Sequence, residues 1–152
     1  MKRLFASLAI AAAALMLSVP AGAASAEQEQ AFVDSYKAAF EAQDTAALHA
    51  MLHAEGALPM ALEFYQMMMT AEFGATVTSI ELEDLTPEDM AKVGEIQPAP
   101  DGTNVKLAPK PYKKLVIKLA TKTAETDSTS TSSIFVAEKD GKLGIAVPAP
   151  AQ

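Results

Sequence analysis

The chain has 152 residues, no cysteine and a formal net charge of −7 at neutral pH. The lack of cysteine excludes disulfides and thiol chemistry, and the acidic balance disfavours binding to the phosphate backbone of nucleic acids. Arg3 is the only arginine. A guanidinium site for carboxylates or phosphates is therefore excluded from the rest of the chain.

The first 26 residues are typical of a secretory signal peptide. Two basic residues precede an apolar run over residues 4–19, and small residues surround the expected cleavage site after Ala26. The run is shorter than the roughly 20 apolar residues that span a bilayer, which favours cleavage over anchoring. We therefore predict a periplasmic or secreted protein that leaves the membrane after cleavage. Residues 27–148 are expected to form one domain and residues 149–152 a C-terminal tail. The mature chain, without Lys2 and Arg3, would carry a formal charge of −9.

Helical periodicity starts the predicted domain, over residues 28–41, with apolar residues on one face and polar residues on the other. Asp44 is placed to cap a second, shorter helix, because its carboxylate can accept the free N–H groups of the first turn. His49 and His53 stand four residues apart on that helix and are the candidate metal ligands. Two imidazoles are too few for a metal site, and no zinc signature surrounds them. No metal or other cofactor is predicted.

A third helix is predicted over residues 58–73, and its apolar residues form two stripes. One stripe is expected to face the core, while the other contains Met60, Phe64 and Met67 on roughly the opposite side. A helix that is apolar on two sides has to bury both, so we expect the second stripe to contact a ligand, another subunit or the proline-rich segment that follows. The methionines favour adaptable packing over copper(I) binding, since Met67 and Met69 belong to opposite stripes.

The period of the apolar residues changes to two after the third helix. Strands are predicted over residues 76–83, 112–123, 131–137 and 143–147, with an edge strand near residues 103–107. Thr86 is expected to cap a short helical turn, Asp140-Gly141 to form a hairpin turn, and Pro148 to end the last strand. Helices followed by antiparallel strands predict an α+β fold, in which N-terminal helices pack on a curved antiparallel sheet of about four strands.

The start of the domain resembles the nuclear-transport-factor-2-like superfamily, which includes ketosteroid-isomerase-like proteins. The resemblance covers residues 32–52, where Phe32, Tyr36 and Phe40 on a long helix are followed by Asp44 and a short second helix. It implies a cone-like fold in which a bent antiparallel sheet wraps around the helices and leaves a cavity. The chain departs from the family pattern because its third helix stands where family members often have a strand.

Two functions are expected from these features. The first is an exported, non-catalytic binding or interaction domain for an unknown small molecule or protein. Its contact surface would be Met60, Phe64 and Met67, and one partner that this surface could bind is a second copy of the chain, which would give a homodimer. The alternative is a small-molecule enzyme or carrier with a cavity near Tyr36 and Tyr65. An isomerase of the resembled type needs a carboxylate base beside a tyrosine-like donor. Because no such carboxylate is evident in the sequence, we predict no catalytic residue.

Overall fold

The computed structural model describes residues 24–151, so nearly all of the predicted signal peptide lies outside the described residues. Within this range the chain forms helices α1 (Ala26–Glu41), α2 (Thr45–His49), α3 (Pro59–Thr70) and α4 (Pro87–Gly94). The strands are β1 (Thr76–Asp84), β2 (Gln97–Pro98), β3 (Asn104–Ala108), β4 (Lys113–Lys122), β5 (Asp127–Lys139), β6 (Lys142–Ile145) and β7 (Val147–Pro150). No helix among residues 24–151 is long and apolar enough to span a bilayer.

Side-chain caps determine where the helices start. The Ser25 hydroxyl accepts the backbone N–H of Gln28 at 3.2 Å, and the Gln28 side chain accepts the N–H of Ser25 at 2.8 Å. The Asp44 carboxylate accepts the N–H of Ala47 at 3.0 Å, which confirms its predicted role as the cap of α2. Thr86 and Asp89 form the same reciprocal pair of hydrogen bonds at α4. These contacts satisfy backbone donors that have no partner inside a helix.

The main sheet has four antiparallel strands in the order β1-β4-β5-β6. The helices α1 to α3 precede it in the chain, and α1 packs against β1 and β6. Asp140 and Gly141, both with positive φ, connect β5 to β6 as the turn chemistry predicted. The structure therefore confirms the predicted α+β class with N-terminal helices and a four-stranded antiparallel sheet, which is not a closed barrel.

A second sheet, with the strand order β2-β3-β7, was not predicted. Pro148 was expected to end the last strand and residues 149–152 to form a tail, but β7 continues to Pro150 and pairs with β3. The N–H of Ala151 donates to β3, whereas the carbonyl of Pro148 points away and accepts the N–H of Leu58 at 3.0 Å. The backbone groups of alternate residues of β7 face β3, and those of Pro148 and Pro150 face away from it. Proline lacks an N–H group, but at these two positions no hydrogen bond to β3 is lost.

One hydrophobic cluster joins α1, α2, the main sheet and the start of β7. Its largest fully buried side chains are Tyr36, Leu48, Leu115, Leu119, Val136, Ile145 and Val147. The predicted inner face of α1 is confirmed, since Phe32, Tyr36 and Phe40 are all buried. Helix α3 contributes the buried Met69 to this core, and its partly buried Ala61, Leu62 and Tyr65 pack against it.

Candidate functional site

A groove of about 580 Å³ lies between α3 and the proline-rich residues 97–101. Its lining is mainly apolar and includes Leu58, Met60, Phe64, Tyr65, Pro98 and Pro100. The backbone contact between Leu58 and Pro148 anchors the start of α3 to β7, so the second sheet holds the base of the groove. A volume of this size lies within the range of roughly 300–1,000 Å³ that is typical of small-molecule sites.

The predicted second stripe of α3 lies on the surface. The exposed fractions of Met60, Phe64 and Met67 are 62%, 54% and 63%, whereas Met69 on the other side of the helix is only 3% exposed. Met60 and Phe64 form one wall of the groove, and Met67 is not part of its lining. The stripe therefore combines a wall of the groove with a bare apolar surface further along the same helix.

The structure does not bring the two candidate tyrosines into one cavity. Tyr36 is buried in the core beside a hollow of about 70 Å³, far below the size of a substrate site. Burial, helped by the nearby Glu72 carboxylate, raises the pKa of Tyr36 to about 12. Tyr65 instead lines the groove under α3, and burial raises its pKa as well. Only Tyr65 is thus placed where a ligand of ordinary size could reach it.

The two histidines do not share a helix, contrary to the sequence prediction. Helix α2 ends at His49, because residues 51–53 turn to run beside β6, with the N–H of His53 donating to Ile145 at 2.9 Å. The His53 ring lies 3.0 Å from the carbonyl oxygen of Ala137, and the buried Nε2 of His49 has no hydrogen-bond partner. Among residues 24–151, no three His, Asp or Glu side chains are grouped as metal ligands.

Beside the groove lies a second hollow of about 360 Å³, which we call the lysine hollow. Its lining includes Lys92, Glu95, Lys106, Leu107 and Phe135. It also shares four lining residues with the groove, namely Tyr65, Gln97, Val105 and Pro148. This hollow could not be predicted from the sequence, because it depends on how α4 and β3 approach each other.

Helix α4, which carries Lys92, is held against the main sheet by an ion pair. The Lys114 ammonium lies 2.8 Å from the Asp89 carboxylate, and the two side chains are only 15% and 14% exposed. The hydrogen bond from Lys114, together with those from Thr86, lowers the pKa of Asp89 to about 2. This pair fixes the helix from which Lys92 reaches the lysine hollow.

The chain matches no protein-family model and has no significant match among curated proteins or solved structures. The resemblance to nuclear-transport-factor-2-like proteins therefore stays a prediction. Function has to be inferred from the groove, the lysine hollow and the side chains around them.

Proposed function

We propose that this protein is a non-catalytic binding domain that acts outside the cytoplasm, and that the groove under α3 receives the apolar part of a small-molecule ligand. The observation that carries this proposal is the exposure of Met60 and Phe64 in the groove wall. The free energy falls when a ligand covers large apolar side chains in a concave site and removes them from water.

The magnitude of this gain supports ligand uptake. Complete burial of a Met or Phe side chain stabilises a structure by about 1.5–3 kcal/mol. Because more than half of each side chain is exposed, covering Met60 and Phe64 completely contributes about 1–2 kcal/mol each. The opposite wall contains Pro98 and Pro100, whose rings restrict the backbone and lower the entropy lost on binding.

The chemistry of the lining supports binding without catalysis. Asp101 is the acidic residue of the groove, and its carboxylate accepts the backbone N–H of Thr103 at 2.9 Å. That contact lowers the pKa of Asp101 and keeps the carboxylate ionised as part of a turn. A general base is more effective when its pKa lies near the working pH.

The test compares two substitutions on the same helix. Phe64→Glu places a carboxylate in the groove, whereas Met67→Glu introduces the same charge at a similarly exposed position outside it. The probe is N-phenyl-1-naphthylamine, an uncharged dye that fluoresces in apolar sites. We expect Phe64→Glu to weaken dye binding at least about tenfold and Met67→Glu to change it less than about twofold. Equal effects of the two substitutions, or no binding by the original protein, would contradict the proposal.

A second candidate function, self-association through α3, is favoured by the apolar surface beyond the groove. Met67 and Met68 are 63% and 37% exposed and continue the stripe along the helix. A second copy that packs against them would cover this surface. Light scattering is expected to show a dimer for the original chain and a monomer for Met67→Glu. A monomer in both cases would refute self-association and leave the groove proposal intact.

A further inference from the structure

We propose that signal peptidase cuts this chain between Ala23 and Ala24, three residues before the site expected from the sequence alone. Two Ala-x-Ala triplets precede Glu27, at residues 21–23 and 24–26, and each has the small outer residues that the peptidase requires. Water would hydrolyse the Ala23–Ala24 peptide bond, which leaves a carboxylate on Ala23 and an amino group on Ala24. The inference rests on the export part of the proposed function and is independent of the groove.

The first reason is the cap of α1, which a cut after Ala26 would remove. The Ser25 hydroxyl oxygen accepts the backbone N–H of Gln28 at 3.2 Å, and the N–H of Ser25 donates to the Gln28 side chain at 2.8 Å. The carbonyl oxygen of Ser25 also accepts the N–H of Glu29 at 3.0 Å. A chain cut after Ala26 loses all three bonds, so the N–H groups of its first helical turn are left to water. The earlier cut keeps these bonds.

The second reason is the charge that the new N-terminus carries. The first residue of α1 is Ala26, so a cut after it places an ammonium group inside the first helical turn. The N-terminal end of a helix carries a partial positive charge, and a cation there is destabilising. A cut after Ala23 places the ammonium on Ala24, which precedes the cap and lies outside the helix. The helix macrodipole therefore favours the earlier cut.

The third reason is that the start of α1 contacts the rest of the domain. The Gln28 side-chain amide donates to the carbonyl oxygen of Gly141 at 3.4 Å, in the turn between β5 and β6. The Glu29 carboxylate lies 3.3 Å from the Lys113 ammonium of β4, and these side chains are only 21% and 22% exposed. Ala24 is itself partly buried and packs against the hydrophobic core. Because burial and hydrogen bonds decide which truncations a domain tolerates, the mature domain is expected to keep Ala24.

The first experiment exports the full chain from a bacterium with a Sec system and compares Ala23→Leu with Ala26→Leu. Each substitution places a large residue directly before one candidate bond, where the peptidase requires a small one, and leaves the other triplet intact. N-terminal sequencing and intact mass should show that the original protein and Ala26→Leu both begin at Ala24. Ala23→Leu should accumulate as the precursor or be cut at a later bond.

The second experiment asks whether Ser25 belongs to the exported domain. Ser25→Ala leaves the outer residues of both triplets unchanged, so both bonds can still be cut. If the exported protein keeps Ser25, the loss of its side-chain cap should lower the Tm by roughly 3–6 °C, the shift typical of one N-cap in a domain of this size. Gly22→Ala is the matched control, because either cut removes position 22, and its Tm should not change.

The outcomes separate the cleavage site from export. An original protein that begins at Ser25 or any later residue would overturn the assignment, and so would a block of maturation in Ala26→Leu together with normal maturation of Ala23→Leu. An unchanged Tm in exported Ser25→Ala would overturn the role of the cap. An uncleaved chain that stays in the cytoplasm would refute export, and with it that part of the proposed function, whereas dye binding in the groove would not be affected.

Discussion

Gly144→Ala tests how residues 51–53 lie against β6. A Cβ atom at position 144 would lie 2.7 Å from Nε2 of His53 and 2.9 Å from the carbonyl oxygen of Met51. The Met51 oxygen cannot retreat freely, because it accepts the N–H of Ile145 at 2.8 Å. The His53 ring can move only by giving up its contact with Ala137 at 3.0 Å. The close approach of the two segments therefore requires glycine at this position.

The cost of the substitution can be worked out from these contacts. Overpacking typically costs about 1–3 kcal/mol, and one lost hydrogen bond about 1 kcal/mol, so we expect a loss of about 2–4 kcal/mol. For a domain of this size, that loss lowers the Tm by roughly 5–10 °C. Gly94→Ala is the matched control, because Gly94 ends α4 and a Cβ atom there would meet nothing within 4 Å.

Thermal unfolding followed by circular dichroism measures both variants. Gly94→Ala should melt at the original temperature or slightly above it, since alanine favours helices. Adding His53→Ala to Gly144→Ala should recover part of the loss and leave the part due to the Met51 oxygen. If Gly144→Ala melts with the original protein, or if both glycine variants lose the same amount, the steric explanation is refuted.

Two further predictions concern the ion pair and the core. Asp89→Asn should remove stability that is fully present above about pH 4 and is lost as the pH falls towards about 2, because the folded pKa is lowered from 3.8 to about 2. Melting curves across this range should show the variant and the original protein converging, and a constant difference down to pH 2 would contradict this assignment. Leu48→Ala should cost about 2–5 kcal/mol in urea unfolding, since Leu48 is fully buried. The exposed control Met90→Ala should cost less than about 0.5 kcal/mol, and equal losses would contradict the placement of the core.

The helices and the main sheet could be predicted because their signals are local. Asp44 and Thr86 cap helices as expected, and Asp140-Gly141 forms the expected turn. The second sheet could not be predicted in the same way. Its strand β2 has only two residues, and β7 contains two prolines that are tolerated because their nitrogen atoms face away from β3. That orientation depends on the pairing partner, which a period of two in the sequence does not reveal.

The candidate site was predicted only in part. The stripe of Met60, Phe64 and Met67 follows from helical spacing, and the structure places all three on the surface. We expected one cavity near Tyr36 and Tyr65 because both lie on the inner faces of their helices. In the structure, core side chains fill the space around Tyr36. The hollow beside the groove could not be predicted, because it depends on contacts between distant segments of the chain.

The methionines of α3 differ in exposure, so oxidation should affect the groove wall and spare the core. Met60 and Met67 expose their thioethers to dissolved oxidants, while Met69 is shielded in the core. Oxidation of Met60 would turn an apolar wall into a polar sulfoxide at the mouth of the groove. If the groove takes up apolar compounds as proposed, peroxide treatment should therefore weaken that uptake severalfold in a protein that still melts at its original temperature, and a methionine sulfoxide reductase should restore it.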